Sequence, residues 1–266
     1  MRARFQGAWA VAAAAVLAAG LTGCSSDDGG KQGGETGPGP RVVEESTVRA
    51  DKQVELKEAE TVKIGGLADR NAEQQVNQAL RAPLEWAVNW TSSTLDEERK
   101  KQCAGRNNVL QTKVLLGLRG EIVAASNSIS LIPCYEGEGA LPTVPVIVDV
   151  KNAKALTAAD VLTGKTLEKE GLKKLWEALS GPKQDWKDCD LEDLRRQDFF
   201  PGKRDGDPVE SPAPAGIMFR AEGMQLIWST TGTDCNNFTF TAPYDKVKDM
   251  INPELYPRLL ASAGGK

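Results

Sequence analysis

Strand pairs joined by two-residue turns, interleaved irregularly with amphipathic helical stretches, predict an α+β fold. Its sheet is mainly antiparallel and built of hairpins, packed by two main helices. The chain has 266 residues, 40% of them apolar, enough for the core of a single domain. One stretch near the N-terminus is long and apolar, so the remainder is not a membrane bundle.

That N-terminal stretch reads as a targeting signal. Arg2 and Arg4 form a basic segment, and Ala8 to Leu21 an apolar one, shorter than the roughly 20 residues of a transmembrane helix. Leu21-Thr22-Gly23-Cys24 then resembles the lipobox of bacterial lipoproteins. The resemblance implies that Cys24 becomes the first mature residue and carries a diacylglycerol on its sulfur, usually with a further acyl chain on its amino group. Residues 1–23 are thus expected to be a lipoprotein signal peptide and 24–45 a lipidated flexible tether. The segment 25–40, rich in Gly, Ser and Asp, has little that can pack and reaches about 20–25 Å as a coil. Residues 46–266 then form the folded domain, held at the outer face of the bacterial cytoplasmic membrane.

Within that domain, weak alternation over 46–64 predicts one or two edge strands, stopped by Gly65-Gly66. Val76, Leu80, Leu84, Ala87 and Val88 recur at helical spacing. Pro83 is expected to kink or divide this first main helix, because it lacks an amide donor. Trp86 and Trp90 pack it. Thr94-Leu95-Asp96-Glu97 resembles a capping box for a short polar helix. Val109–Leu118 and Glu121–Ile132 form a hairpin around Arg119-Gly120, followed by a β-branched strand at Val144–Val150. Thr157-Ala158-Ala159-Asp160 is a second capping box. Leu172, Leu175, Trp176 and Leu179 mark the second main helix, over 167–180. The segment 182–215 is polar and rich in Pro and Gly, with one short helical possibility at 190–197. Ile217–Ala221 and Met224–Thr230 flank a turn at Glu222-Gly223, Asn237–Ala242 adds a third strand, and Tyr244–Met250 is helical, limited by Pro253.

Four cysteines follow Cys24: Cys103, Cys134, Cys189 and Cys235. No CxxC pair and no histidine is present, which argues against structural zinc and leaves two disulfides as the reading for an exported chain. The register of the 109–132 hairpin places Cys103 about one diagonal step from Cys134 at its open end. Cys189 and Cys235 then pair by elimination.

Several motifs, in their order, resemble the extracellular domain of RsiV-type anti-sigma factors, related secreted mycobacterial antigens and the accessory region of some peptidoglycan deacetylases. They are Ile64-Gly65-Gly66-Leu67-Ala68-Asp69, Gln75-Val76-Asn77 and Ile122-Val123-Ala124-Ala125-Ser126. Ala155-Leu156-Thr157, Val161-Leu162-Thr163-Gly164, Met218-Phe219 and Gly223-Met224-Gln225-Leu226 continue the pattern, and Ala242-Pro243-Tyr244-Asp245-Lys246-Val247 closes it. The likeness spans roughly residues 46–252. RsiV-type proteins add a cytoplasmic sigma-binding segment and a membrane helix, neither of which is read here, so sigma-factor control is not implied. The family's lysozyme-binding residues are matched to no position of this chain.

Chemistry is limited by composition. The absence of histidine removes Ser-His-Asp and Cys-His nucleophile systems. A formal charge of -4 argues against nucleic acid as a partner. Asp205-Gly206-Asp207 with Glu210 lacks the spacing of a calcium loop and reads as a solvated acidic loop. Ser128 and Ser130 read as surface serines. No catalytic, metal or cofactor constellation emerges. The expectation is a non-catalytic binding or sensing module that faces the cell wall and engages an extracellular protein or a cell-wall ligand. An envelope hydrolase using carboxylates is the alternative. Trp186, Phe199 and Phe200, on the 182–215 segment, are either anchors for a partner or rings folded back over the sheet.

Overall fold

Six strands form one sheet in chain order: β1 (Gly39–Arg49), β2 (Val54–Gly65), β3 (Asn108–Arg119), β4 (Ile122–Ile132), β5 (Val144–Asp149) and β6 (Lys154–Ala155). A second, antiparallel sheet holds β7 (Ala215–Arg220), β8 (Gly223–Trp228) and β9 (Phe238–Pro243). The computed structural model describes residues 39–264, except 138, 192, 204–206 and 233–234. Cys24 and the whole signal segment lie outside the described residues. The described residues belong to one compact unit.

The burial of β4 explains the layering. Successive side chains on a strand point to opposite faces, yet Ile122, Val123, Ala124 and Ala125 are all buried. Both faces of the sheet are therefore covered. Val123 and Ala125 pack with Val62 and Ile64 against Val76 and Leu80 of α1 (Arg70–Ser93). Ile122 and Ala124 join Leu118 and Ile147 on the other face, against Phe219, Met224, Leu226 and Phe240 of the second sheet. That contact is close: a Cβ on Gly117 would lie 2.2 Å from the Phe219 carbonyl oxygen, so β3 tolerates only glycine there.

Among the described strand pairs only β2–β3 is parallel. Parallel neighbours need a long crossover, supplied by α1 and α2 (Glu97–Cys103). The ends of α1 are set locally. The Asp69 carboxylate caps it by accepting from the amides of Asn71 and Ala72. The Asn77 side chain exchanges two hydrogen bonds with the backbone of Ile64, at 2.7 and 3.0 Å, fixing the helix to the end of β2. The first two family-like motifs thus form one strand-to-helix joint.

Several expectations are corrected. The sheet begins at Gly39, inside the stretch expected to be tether, because residues 40–49 alternate and pair along the whole of β2. Pro83 does not divide α1, which runs unbroken over Arg70–Ser93 with the ring buried. The cap of α2 is Asp96, accepting from the Arg99 amide, rather than Thr94. The β3–β4 turn holds Gly120-Glu121, and register shifts between Leu116 and Leu118, as a bulge at Gly117 inserts one residue. The β7–β8 turn is Ala221-Glu222, one residue earlier than expected, with Gly223 at φ +152° opening β8. Among the described residues no helix spans 190–197. Instead α5 covers Lys183–Asp188 and a 3-10 turn covers Arg196–Phe199.

The capping box at Thr157 is present in its reach-back half: the Asp160 carboxylate accepts from the Thr157 amide at 2.8 Å and opens α3 (Ala158–Val161). The second main helix, α4, is shorter than expected at Lys169–Ala178. Tyr244–Val247 forms α6, continued by a 3-10 turn to Met250. The expected set lacks α7 (Tyr256–Gly264). This helix seals the β3–β4 turn: Ser262 accepts from the Ile122 amide at 3.0 Å, and Arg258 makes a bidentate pair with buried Asp149 at 2.6 and 2.7 Å.

Both disulfides form in the expected pairs, Cys103–Cys134 and Cys189–Cys235. The first is positioned by polar contacts more than by strand register. Cys103 ends α2, Arg106 donates to the carbonyls of Cys103 and Cys134, and the Asn108 side chain accepts from the Cys134 amide.

Candidate functional site

The segment 182–215 is folded onto the second sheet, and the surface it makes there carries the main recesses. Its aromatic residues explain the folding. Trp186 of α5 sits 4.8 Å from Trp228, 5.1 Å from Trp176 and 5.7 Å from Phe240, centre to centre, mostly edge-on. Such contacts add to the large area each ring removes from water. Trp186 is only 4% exposed and Phe199 3%. Neither is available as an anchor, so of the two readings for these rings the inward one holds. Phe200 is half-buried against the same core, with the Arg196 guanidinium 5.7 Å from its ring centre.

Four further ties hold the segment. The Cys189–Cys235 bridge fastens its first part to the loop after β8. Asp198 lies buried in the 3-10 turn, accepting from the Arg195 amide at 2.7 Å and pairing with the Arg195 guanidinium at 3.6 Å. Farther on, Gly202 and Ser211 exchange backbone hydrogen bonds, and the Trp86 indole of α1 donates to the Glu210 carbonyl at 2.9 Å. The segment is therefore an ordered part of the domain on both sides of residues 204–206.

Two of the recesses beside it are walled in part by this segment. The first, about 360 Å³, lies between α4 and residues 193–196. Leu167, Leu172, Leu194 and half-buried Trp176 give it an apolar floor, while Lys169, Lys173, Arg195 and Arg196 face Glu170 and Asp193 at the rim. The second, about 620 Å³ and more open, lies between residues 195–203 and the end of β8, with Phe200, Asp207 and Trp228 among its walls. The volumes fall within the roughly 300–1,000 Å³ typical of small-molecule sites.

Sequence reasoning located the segment but missed the α4 side of the first recess. The signal was available: Lys169, Lys173 and Trp176 follow a four–three spacing that puts them on one helix face. Trp176 belongs to the apolar series that marks the helix, yet it is only half-buried and also lines the recess.

The other candidates disperse. Asp207 accepts from the Ser211 hydroxyl, while Asp205 and Gly206 lie outside the described residues. Ser128 and Ser130 are exposed on β4. Among the described residues no three His, Cys, Asp or Glu side chains gather as for a metal ion. The most perturbed carboxyl, Asp149, belongs to the α7 clamp. Burial raises its pKa, but hydrogen bonds from Arg258 and Asn152 outweigh this and hold it at about 2.

No family model matches the sequence, and neither does any curated protein. Among solved structures, a DUF3298-family protein from Bacteroides fragilis has a similar fold, with a TM-score of 0.50 at 11% identity. The match covers 87% of this chain and 99% of that one. A DUF3298-family protein from Pseudomonas aeruginosa aligns with a TM-score of 0.46 at 17% identity, over 84% of this chain and 98% of that one. At 11% identity the likeness to the Bacteroides fragilis protein is one of fold. Among the described residues, no helix is long and apolar enough to cross a membrane.

Proposed function

We propose that this chain is a lipid-anchored, non-catalytic binding or sensing module of the cell envelope, built on an RsiV-type domain. DUF3298 is the family of RsiV-type domains, and the fold shared with the Bacteroides fragilis protein agrees with the motif order read from the sequence. Two disulfides support a place outside the cytoplasm, because thiols there are not kept reduced. The anchor rests on the basic, apolar and small-residue segments that end at Cys24.

The observation that carries the binding role is the recess between α4 and residues 193–196. Its floor is apolar and its rim charged, the usual chemistry of a site that holds a ligand. The segment forming one wall is fixed by a disulfide and a buried aromatic cluster, so the recess is preformed and little ordering entropy opposes binding. The module stands on a short tether next to the membrane, facing the cell wall.

The test uses intact cells. The native chain should remain with the membrane fraction and carry the mass of a diacylated or triacylated N-terminus. Cys24→Ala should release it into the medium or leave it unprocessed, and unchanged retention and mass would sink the anchor. Crosslinking of the anchored chain should capture its envelope ligand without turnover; hydrolysis of cell-wall substrates by the purified chain would replace the binding reading with the hydrolase one.

A further inference from the structure

We infer that the second recess, between residues 195–203 and the end of β8, binds a short neutral oligosaccharide of gluco-configured pyranose units. This goes beyond the binding reading, which rests on the other recess, beside α4. The ground is a lining that joins aromatic rings to uncommitted neutral hydrogen-bonding groups. Phe200 stands on one wall and Trp228, the last residue of β8, on the other, and both are half-buried. Gln197, Thr230 and Thr231 bring a carboxamide and two hydroxyls to the same lining. Among the described residues none of these three side chains has a hydrogen-bond partner.

The chemistry of the two kinds of group selects the ligand. A carboxamide and a hydroxyl each donate and accept, and so does every hydroxyl of a sugar. In a gluco-configured pyranose the hydroxyls lie around the ring edge, which leaves two faces of polarised C–H groups. Those faces match the electron-rich face of an aromatic ring, while the edge hydroxyls meet Gln197, Thr230 and Thr231. A polyol without a ring face leaves Phe200 and Trp228 wet. An apolar molecule strips water from the three polar side chains and returns no hydrogen bond. The walls are also fixed in advance. Trp228 packs edge-on against Trp186 at 4.8 Å, the next amide, of Ser229, donates to the Pro214 carbonyl at 2.8 Å, and Gly202 pairs with Ser211. A preformed site spends little entropy on ordering. At about 620 Å³ and open to one side, the recess has room for more than one sugar ring.

Saturation-transfer NMR with cellotriose and chitotriose tests this on the full anchored chain in phosphatidylcholine nanodiscs. Saturation should reach the ring C–H protons of both sugars, and sorbitol, a polyol with no ring face, should receive several-fold less. Hydrogen–deuterium exchange on the unaltered chain locates the site without any substitution. Saturating chitotriose should slow exchange in peptides covering 195–203 and 226–232, and leave 167–176 unchanged. Gln197→Ala and Phe200→Leu should each weaken binding about fivefold, as loss of one hydrogen bond or one stacking face predicts, with the melting temperature within a few degrees of the parent. No transfer to either sugar at millimolar concentration, transfer to sorbitol equal to theirs, or protection only outside the two stretches would each overturn the assignment. Binding indifferent to both substitutions would do the same. None of these readouts involves Cys24 or the recess beside α4, so such a failure leaves the binding module itself standing.

Discussion

Arg258 offers a quantitative handle on how α7 holds the domain together. Its guanidinium grips the Asp149 carboxylate at 2.6 and 2.7 Å and reaches Glu121 at 3.1 Å. The Asp149 side chain is 5% exposed and that of Arg258 26%. Arg258→Met keeps the apolar stem but leaves Asp149 buried with Asn152 alone. Removing one partner of a buried pair costs about 3–5 kcal/mol, and the partial exposure of Arg258 places this pair toward 2–4 kcal/mol.

A second route agrees: lowering the Asp149 pKa from 3.8 to about 2 corresponds to about 2 kcal/mol in favour of the folded state. The sign follows from the depressed value. The stabilisation is complete above the unfolded pKa near 3.8 and is lost as pH falls through about 2. Urea unfolding at pH 7 should therefore show Arg258→Met weaker by 2–4 kcal/mol, about 5–15 °C in melting temperature. The gap to the parent should close between pH 4 and pH 2. A loss below 1 kcal/mol at pH 7, or a gap that persists unchanged to pH 2, would refute the reasoning.

Three further outcomes follow from the same packing. Cys103 and Cys134 are buried, whereas Cys189 is half-buried and Cys235 exposed, so mild reductant with alkylation and peptide mapping should open Cys189–Cys235 first; simultaneous opening would contradict the burial difference. Each bridge contributes about 4 kcal/mol on loop entropy alone, so its loss should lower the melting temperature clearly. Deleting residues 201–214 removes the Gly202–Ser211 pairing and the acceptor for the Trp86 indole. It should lower the melting temperature by several degrees, and an unchanged value would return this stretch to a dispensable surface loop.

What was legible in the sequence was what neighbouring residues decide. The apolar stripe of α1, the two hairpins, the alternation of β9 and the Asp160 cap all rest on local periodicity and local hydrogen bonding, which survive without tertiary context. The disulfide pairs followed from cysteine number and approximate register, although the register itself was displaced by the bulge at Gly117. Tertiary structure alone decided the rest. The parallel pairing of β2 with β3 joins residues separated by the whole α1–α2 crossover, and no local pattern encodes a partner so distant. The helix α7 was hidden by Pro257, which occupies its first turn, where proline is tolerated. Trp186 and Phe199 lie in a segment that reads as polar loop, and their burial depends on Trp176, Trp228 and Phe240 arriving from three other elements. The recess beside α4 has the same origin. Lys169 and Lys173 look like ordinary solvated helix charges until residues 193–196 fold across from them and a shared apolar floor closes beneath.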